Sequence, residues 1–292
     1  MASPMTALIH DESWSAFLDE EVVSWGTTDP AAAAVGRNSV LGSAGPVDLP
    51  RPWASVSKIV AALAVLDVVH EGLLDLDEPA GPAGSTVRHL LAHASGLAFD
   101  EPRVLAAPGT RRIYSNVGID VVTELARERT SSTSAAVLLT NRVLAPLGMT
   151  ATTLQGPPAH GAVGPVSDLA RLALELLEPR VLRPGLVAEA TTPAFPELAG
   201  VLPGFGRQDP NDWGLGVELR GRKSPHWTPA GLSPRAFGHF GQSGAFLWVD
   251  PLRGLGLVAA TDTPYGPWAA TAWPRTSDRV LTRAAVPDER SS

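Results

Sequence analysis

The sequence contains no cysteine in 292 residues, which excludes disulfides, thiolate zinc sites and a thiol nucleophile and leaves the redox compartment open. Lysine is almost as scarce: of 23 basic side chains only Lys58 and Lys223 are lysines, and only Tyr114 and Tyr265 are tyrosines. Basic residues nowhere cluster and the formal charge is -7, so nucleic acid is excluded as a partner. Long apolar runs are missing too. The longest, over 59–66, falls far short of the roughly 20 residues of a membrane span and reads as a core helix, so no membrane is expected as a partner. The first thirty residues carry Asp11, Glu12, Asp19, Glu20 and Glu21 and have neither a basic start nor an apolar segment. No secretory signal is read there, and a cytoplasmic location is the expectation. A His-Glu-x-x-His pattern, a Gly-x-Ser-x-Gly nucleophile elbow and a phosphate-cradling glycine loop are also missing, so neither a metal ion nor another cofactor is expected.

What is there is a hydrophobic fraction of 44%, and a globular chain of this length buries about three quarters of its unfolded surface. The stretch Trp53-Ala54-Ser55-Val56-Ser57-Lys58 runs directly into an apolar segment over 59–69 and reads as a nucleophile on the first turn of a buried helix. A serine and a lysine three residues apart share a helix face, so the Lys58 amine can reach the Ser55 hydroxyl. That hydroxyl is a weak nucleophile near neutral pH, and an amine takes its proton only when the amine is itself uncharged. Burial beside Ala61, Ala62, Leu63 and Val65 lowers an amine's pKa toward that state. Arginine could not serve, because it does not deprotonate in proteins.

Around this stretch the patterns predict an α/β sheet interrupted by helices. Residues 11–23 carry Trp14, Phe17, Leu18 and Val22 at helical spacing, and 31–35 with 39–43 read as a hairpin of small residues. Gly72 closes the nucleophile helix. Helical patterns then run over 86–94, 116–129, 133–144, which stops before Pro146, and 168–177, which Ser167 caps. Strands resume over 213–219, 236–240, 245–249 and 254–261, with a turn at 250–254 between the last two. A final helix over 273–285 and a loose tail over 286–292 close the chain. The expected architecture is α/β plus all-α: an antiparallel sheet from 1–79 and 200–292, flanked by the N- and C-terminal helices, with an all-helical lobe inserted at 80–199.

Taken in order and spacing, Ser55-Val56-Ser57-Lys58, the stretch from His89 through His93 to Leu97, Tyr114-Ser115-Asn116 and Gly238-His239-Phe240-Gly241 resemble the serine β-lactamase and penicillin-recognising hydrolase superfamily. The likeness is strongest to class C β-lactamases, the D-alanyl-D-alanine carboxypeptidases related to them, and β-lactamase-like esterases, and it runs from about Val22 to Asp262. It implies a site in the cleft between the two lobes and an acyl-enzyme on Ser55. It also implies that Tyr114 places a phenol near Ser55 and shares proton transfer with Lys58, while Asn116 bonds Lys58 and the substrate. His239 stands where relatives carry Lys or His, and Gly241 where a missing side chain admits substrate. The backbone amides of Ser55 and Gln242 would form the oxyanion hole. Plainer roles compete: Tyr114 as a core aromatic, Asn116 as a helix N-cap, His239 as an ordinary strand residue. His93 is expected to be a structural hydrogen-bonding residue.

Two departures narrow the function. Phe240 stands where β-lactamases and peptidases usually offer a Thr or Ser hydroxyl to a substrate carboxylate, and a chain without an export signal would not meet cell-wall peptides. The expectation is therefore an intracellular serine esterase or amidase acting on small ester, amide or lactam substrates. β-Lactamase or D-alanyl-D-alanine carboxypeptidase activity is one rival reading; a non-catalytic binding protein on the same fold is the other.

Overall fold

In the computed structural model, which describes residues 12–285, the chain opens with α1 (Glu12–Val23), β1 (Ala31–Gly36), β2 (Val40–Ala44) and β3 (Arg51–Pro52). A 3-10 turn over Ala54–Val56 leads into α2 (Ser57–His70). Then follow α3 (Val87–Leu91), α4 (Asn116–Arg129), α5 (Ala135–Leu139), β4 (Thr153–Leu154), β5 (Ala162–Gly164), α6 (Val166–Leu177) and α7 (Leu186–Thr191). The last part holds β6 (Gly200–Leu202), β7 (Gly206–Gln208), β8 (Glu218–Leu219), β9 (Phe237–Phe240), β10 (Phe246–Asp250), β11 (Leu255–Ala260) and α8 (Pro267–Ala284). Asp11, expected to begin α1, and the tail over 286–292 lie outside the described residues.

Six strands form one antiparallel sheet in the order β2-β1-β11-β10-β9-β8, with Ala31 opposite Ala260 and Phe246 opposite both Ala259 and Phe240. Successive strand residues point to opposite faces, and here both faces are covered. Ala31, Ala33, Val35, Leu247, Val249 and Val258 join one buried cluster with the apolar residues of α2 and α6. Ala32, Ala34, Phe246, Trp248 and Leu257 join a second with Leu18 and Val22 of α1 and Trp273 and Val280 of α8. This double burial is why β1, β10 and β11 read as continuous apolar runs without alternation. The expected antiparallel sheet flanked by terminal helices is thus the observed one. The stretch 80–199 adds two short strands to its helices: β5 pairs with β4 and with β3, directly before the 3-10 turn.

Element ends differ where local chemistry overrides periodicity. Within 86–94 the helix stops at Leu91 and His93 takes a left-handed conformation (φ 56°). The pattern over 133–144 breaks into α5 and a π turn over Thr140–Leu144. Pro165, with no side-chain cap, precedes α6, so Ser167 lies inside the first turn and is not the N-cap. The expected strand over 213–219 shrinks to Glu218–Leu219; at Gly216 (φ 76°) a Cβ would meet the Ala62 Cβ at 2.1 Å, so a loop lies directly on α2 there. Helix α8 begins six residues before the expected start, with Pro267 in its first turn and Pro274 inside it; the internal proline hides the first half of the helix from a periodicity reading. Among the described residues no helix is long and apolar enough to cross a membrane.

Candidate active site

The run-up to Ser55 is fixed by backbone. The Trp53 amide donates to the Ala162 carbonyl at 2.9 Å and its indole N–H to the Gly164 carbonyl at 2.9 Å, which ties the turn to β5. Ala54 then adopts φ 44°, a left-handed conformation that costs a non-glycine residue roughly 1–2 kcal/mol. Such strain at the residue before a nucleophile is the kind that persists only where its surroundings impose it. One imposing neighbour is Gly241, directly after β9: a Cβ there would lie 2.2 Å from the Trp53 carbonyl oxygen and 3.0 Å from the Ala54 Cβ. Gly241 is therefore required by close approach of two backbones, a reason beyond the expected one that its missing side chain admits substrate. The two serines of the motif separate cleanly. Ser57 is fully buried and its Oγ accepts from the Ala162 amide at 3.0 Å, whereas Ser55 is half-buried.

Lys58 is fully buried. Its Nζ lies 3.2 Å from Ser55 Oγ, 2.5 Å from Asn116 Oδ1 and 2.9 Å from the Ala159 carbonyl oxygen. Burial lowers its pKa to about 7, against the opposing pull of Asp120 and Asp100. Asn116 is free to reach Lys58 because Ser115, not Asn116, caps α4, its Oγ accepting from the Gly118 amide at 3.1 Å.

Tyr114 stands among rings, with centroids 4.6 Å from His93, 5.6 Å from Trp213, 5.7 Å from His239 and 5.8 Å from Phe99; the Lys58 amine lies 4.7 Å from its own centroid. Burial pushes the phenol pKa well above its ordinary value, only partly offset by a hydrogen bond with Ser55, so Tyr114 is a neutral hydroxyl. Its oxygen is 3.3 Å from His239 Nε2. His239 Nδ1 lies 2.7 Å from the Phe240 carbonyl, which can only accept, so the proton sits on Nδ1 and Nε2 is left as an acceptor for the Tyr114 hydroxyl. Burial first, and the Lys58 charge second, hold His239 down to about 3 and keep it neutral. His93 accepts the Ser115 amide on Nδ1 at 3.2 Å and burial holds its pKa well below the ordinary histidine range, which fits a supporting ring under Tyr114.

Ser55, Tyr114, His239, Phe240 and Gln242 line one small cavity of about 50 Å³, together with Phe99, Leu202, Pro203, Trp213 and Glu218. Ser55, inside the 3-10 turn, and Gln242, two residues past the end of β9, line this cavity together. Alternation on β9 turns Phe240 away from His239 and into the second core cluster, where its ring contacts Tyr265 at 4.9 Å and Trp227 at 5.7 Å. At 6% exposure it leaves little surface for a substrate, less than a residue read purely as a site wall would. A larger groove of about 460 Å³ lies at the far end of α2, but its Arg88 and Arg129 are paired with Asp77 and Glu78 and it holds no nucleophile.

Sequence reasoning misses Trp213, Glu218 and Phe99, which lie outside every motif. Glu218 is buried against Lys223 Nζ (3.1 Å), His226 Nε2 (2.7 Å) and Trp227 Nε1 (2.8 Å). Burial alone would raise its pKa; the Lys223 and His226 charges reverse that and hold it well below the carboxylate range. The scarcity of lysine was a usable signal here, since both lysines prove to be buried beside this cavity's lining. Sequence reasoning also overlooks that His89 and His93 stand four apart, the interval of a helical metal pair. Helix α3 ends between them, and His89 Nδ1 is taken by Thr86 Oγ at 2.9 Å. Among the described residues no group of three or more His, Asp or Glu side chains could hold a metal ion.

The sequence matches the Beta-lactamase family model over residues 31–281. The chain belongs to the beta-lactamase family. Among solved structures it is similar to a beta-lactamase from Mycobacterium bovis, at 48% identity and TM-score 0.89 over 91% of this chain and 99% of the other. Unliganded simvastatin synthase from Aspergillus terreus (18% identity, TM-score 0.71, 92% and 97% covered) shares the fold. So does the octameric penicillin-binding protein homologue from Pyrococcus abyssi (17%, 0.71, 91% and 76% covered). Comparison with curated proteins gave no match. The family model and the 48%-identical neighbour agree on a beta-lactamase type of enzyme, while the more distant neighbours show the fold alone.

Proposed function

We propose that this family member is a serine esterase or amidase for small neutral substrates, working through an acyl-enzyme on Ser55 at the junction of a sheet lobe (1–79 and 200–292) and an inserted lobe (80–199). The observation that carries the reading is a buried lysine of pKa about 7 whose amine stands 3.2 Å from Ser55 Oγ. Uncharged Lys58 takes the Ser55 proton as Oγ bonds to the substrate carbonyl carbon, and the Ser55 and Gln242 amides receive the oxyanion. When the tetrahedral adduct collapses, the bond to the alcohol or amine breaks. That leaving group collects the proton from the Lys58 ammonium by way of the Tyr114 hydroxyl. Water then attacks the acyl-enzyme and gives a proton to Lys58; as this second adduct collapses, the bond to Ser55 Oγ breaks, Oγ takes that proton back from Lys58, and the acid leaves with Lys58 again uncharged. Tyr114, held neutral, is a proton conduit in this scheme and Lys58 is the base.

Charge selects the substrate. Lys223 is used by Glu218 and the carbonyls of Asp212 and Leu219, and Arg112 by the carbonyls of Ala92, Ala194, Phe195 and Asn211. Neither points a free cation at the cavity, His239 is neutral, and Phe240 has no hydroxyl. A carboxylate in the substrate, as in β-lactams or peptides ending in D-alanine, would be left unpaired at a cost of several kcal/mol. The 48% identity to a beta-lactamase favours the other reading, lactam hydrolysis, because the acylation chemistry is shared. The test is kcat/KM for p-nitrophenyl acetate and butyrate against a chromogenic cephalosporin. An ester preference of roughly 10³ is expected; comparable values would replace this reading with the lactamase one. Phe240→Thr is a poor probe, since it would hollow the core that Phe240 fills.

A further inference from the structure

The neutral Lys58 amine has two N–H donors and one lone pair, and which neighbour meets the lone pair decides whether Ser55 is activated. Two of its three neighbours are oxygens that can only accept: Asn116 Oδ1 and the Ala159 carbonyl. Each of these is held in turn by a carboxylate. Asp100 Oδ1 accepts from Asn116 Nδ2 at 2.6 Å, and a carboxylate cannot donate, so it fixes the Asn116 amide with its oxygen toward Lys58. Asp120 Oδ1 accepts from the Ala159 amide at 2.8 Å and so anchors the residue whose carbonyl, on the next peptide unit, Lys58 uses. With both donors of the amine committed, only the direction of Ser55 is left for the lone pair.

We propose that Asp100 and Asp120 are positioning residues that aim the Lys58 lone pair at Ser55, Asp100 by setting the orientation of Asn116 and Asp120 by anchoring the Ala159 carbonyl. The two act differently. Asp100 governs a choice of orientation, because an asparagine amide turned over would present an N–H to Lys58 and draw the lone pair away from Ser55. Asp120 governs no such choice, since the Ala159 amide always demands an acceptor; beyond anchoring, it contributes charge. The charged or titratable groups around Lys58 are Asp100, Asp120, Tyr114, His93 and His239, and His160 stands beside Asp120. Of these, only the two aspartates raise the affinity of Lys58 for its proton, so loss of either charge moves its titration to lower pH.

This inference rests on Lys58 being the base, and the experiment separates the two. The rate of Ser55 labelling by a fluorophosphonate is measured from pH 5 to 9 for wild type, Asp100→Asn and Asp120→Asn, with thermal melts of each. Asp100→Asn is nearly isosteric but can donate to Asn116 Oδ1 and turn that amide over, so its plateau rate should fall roughly 10-fold or more. Asp120→Asn keeps an oxygen for the Ala159 amide, so its plateau should stay within about 2-fold while its midpoint moves down by about half a pH unit or more. Supplying an acceptor again, Asp100→Glu should recover part of the plateau that Asp100→Asn loses. If the folded variants keep both the wild-type plateau and midpoint, or lose rate only in proportion to lost melting temperature, the inference is overturned. If wild type itself is unlabelled, or labelled at a rate without a midpoint near 7, the fault lies with the reading of Ser55 and Lys58.

Discussion

If Lys58 is the base, hydrolysis must follow the fraction of Lys58 that is uncharged. With a pKa held near 7 by burial, that fraction is about one half at pH 7, about one tenth at pH 6 and about nine tenths at pH 8. The sign follows from the role: protonation removes the base, so kcat/KM should fall tenfold per unit below the midpoint and level off above it. Lys58→Arg probes the same point from the other side. Guanidinium stays charged, has five donors and no acceptor, and position 58 offers it only Asn116 Oδ1, the Ala159 carbonyl and Ser55 Oγ. Activity should fall by roughly 100-fold or more, as far as in Lys58→Met. The assay is kcat/KM for p-nitrophenyl acetate between pH 5 and 9 in wild type, with melts to show that the variants fold. A flat wild-type profile, or a folded Lys58→Arg within a few-fold of wild type, would refute the reasoning.

Tyr114→Phe keeps the ring stack and removes the one hydroxyl that joins Ser55 to His239, so turnover should drop roughly 100-fold while the melting temperature stays within a few degrees; equal rates would return Tyr114 to a packing role. Gly241→Ala would force a methyl to 2.2 Å from the Trp53 carbonyl, costing about 1–3 kcal/mol and displacing the turn that carries Ser55. Its melting temperature and kcat should fall together, and an unchanged melt would show that the Trp53 contact does not constrain this site.

The sequence carried the reactive side chains more plainly than their supports. Ser55, Lys58, Tyr114, Asn116 and His239 lie in short patterns; Ser55, Tyr114 and His239 line one cavity, and Lys58 and Asn116 join it through the contact of Lys58 with Ser55. The sheet was legible because its strands are apolar runs and its turns are marked by glycine and proline. Asp100, Asp120, Trp213 and Glu218 were not legible, because nothing in their local sequence says which distant group they will touch; Asp120 matters through an amide 39 residues away. Phe240 and Gly241 were read in the right place for incomplete reasons. Strand alternation sends the Phe240 ring into the core, and what crowds Gly241 is the Trp53 backbone, a contact that only the folded chain creates.

The central claim is that Ser55 is an activated nucleophile. Intact mass after exposure to a fluorophosphonate at pH 8 tests it most directly, in wild type and in Ser55→Ala. The account predicts a single adduct on wild type, mapped to Ser55 by peptide mass, and none on folded Ser55→Ala. Folded wild type without an adduct would contradict it and favour a binding protein built on the same fold, and an adduct that survives in Ser55→Ala would contradict it by placing the reactive group elsewhere.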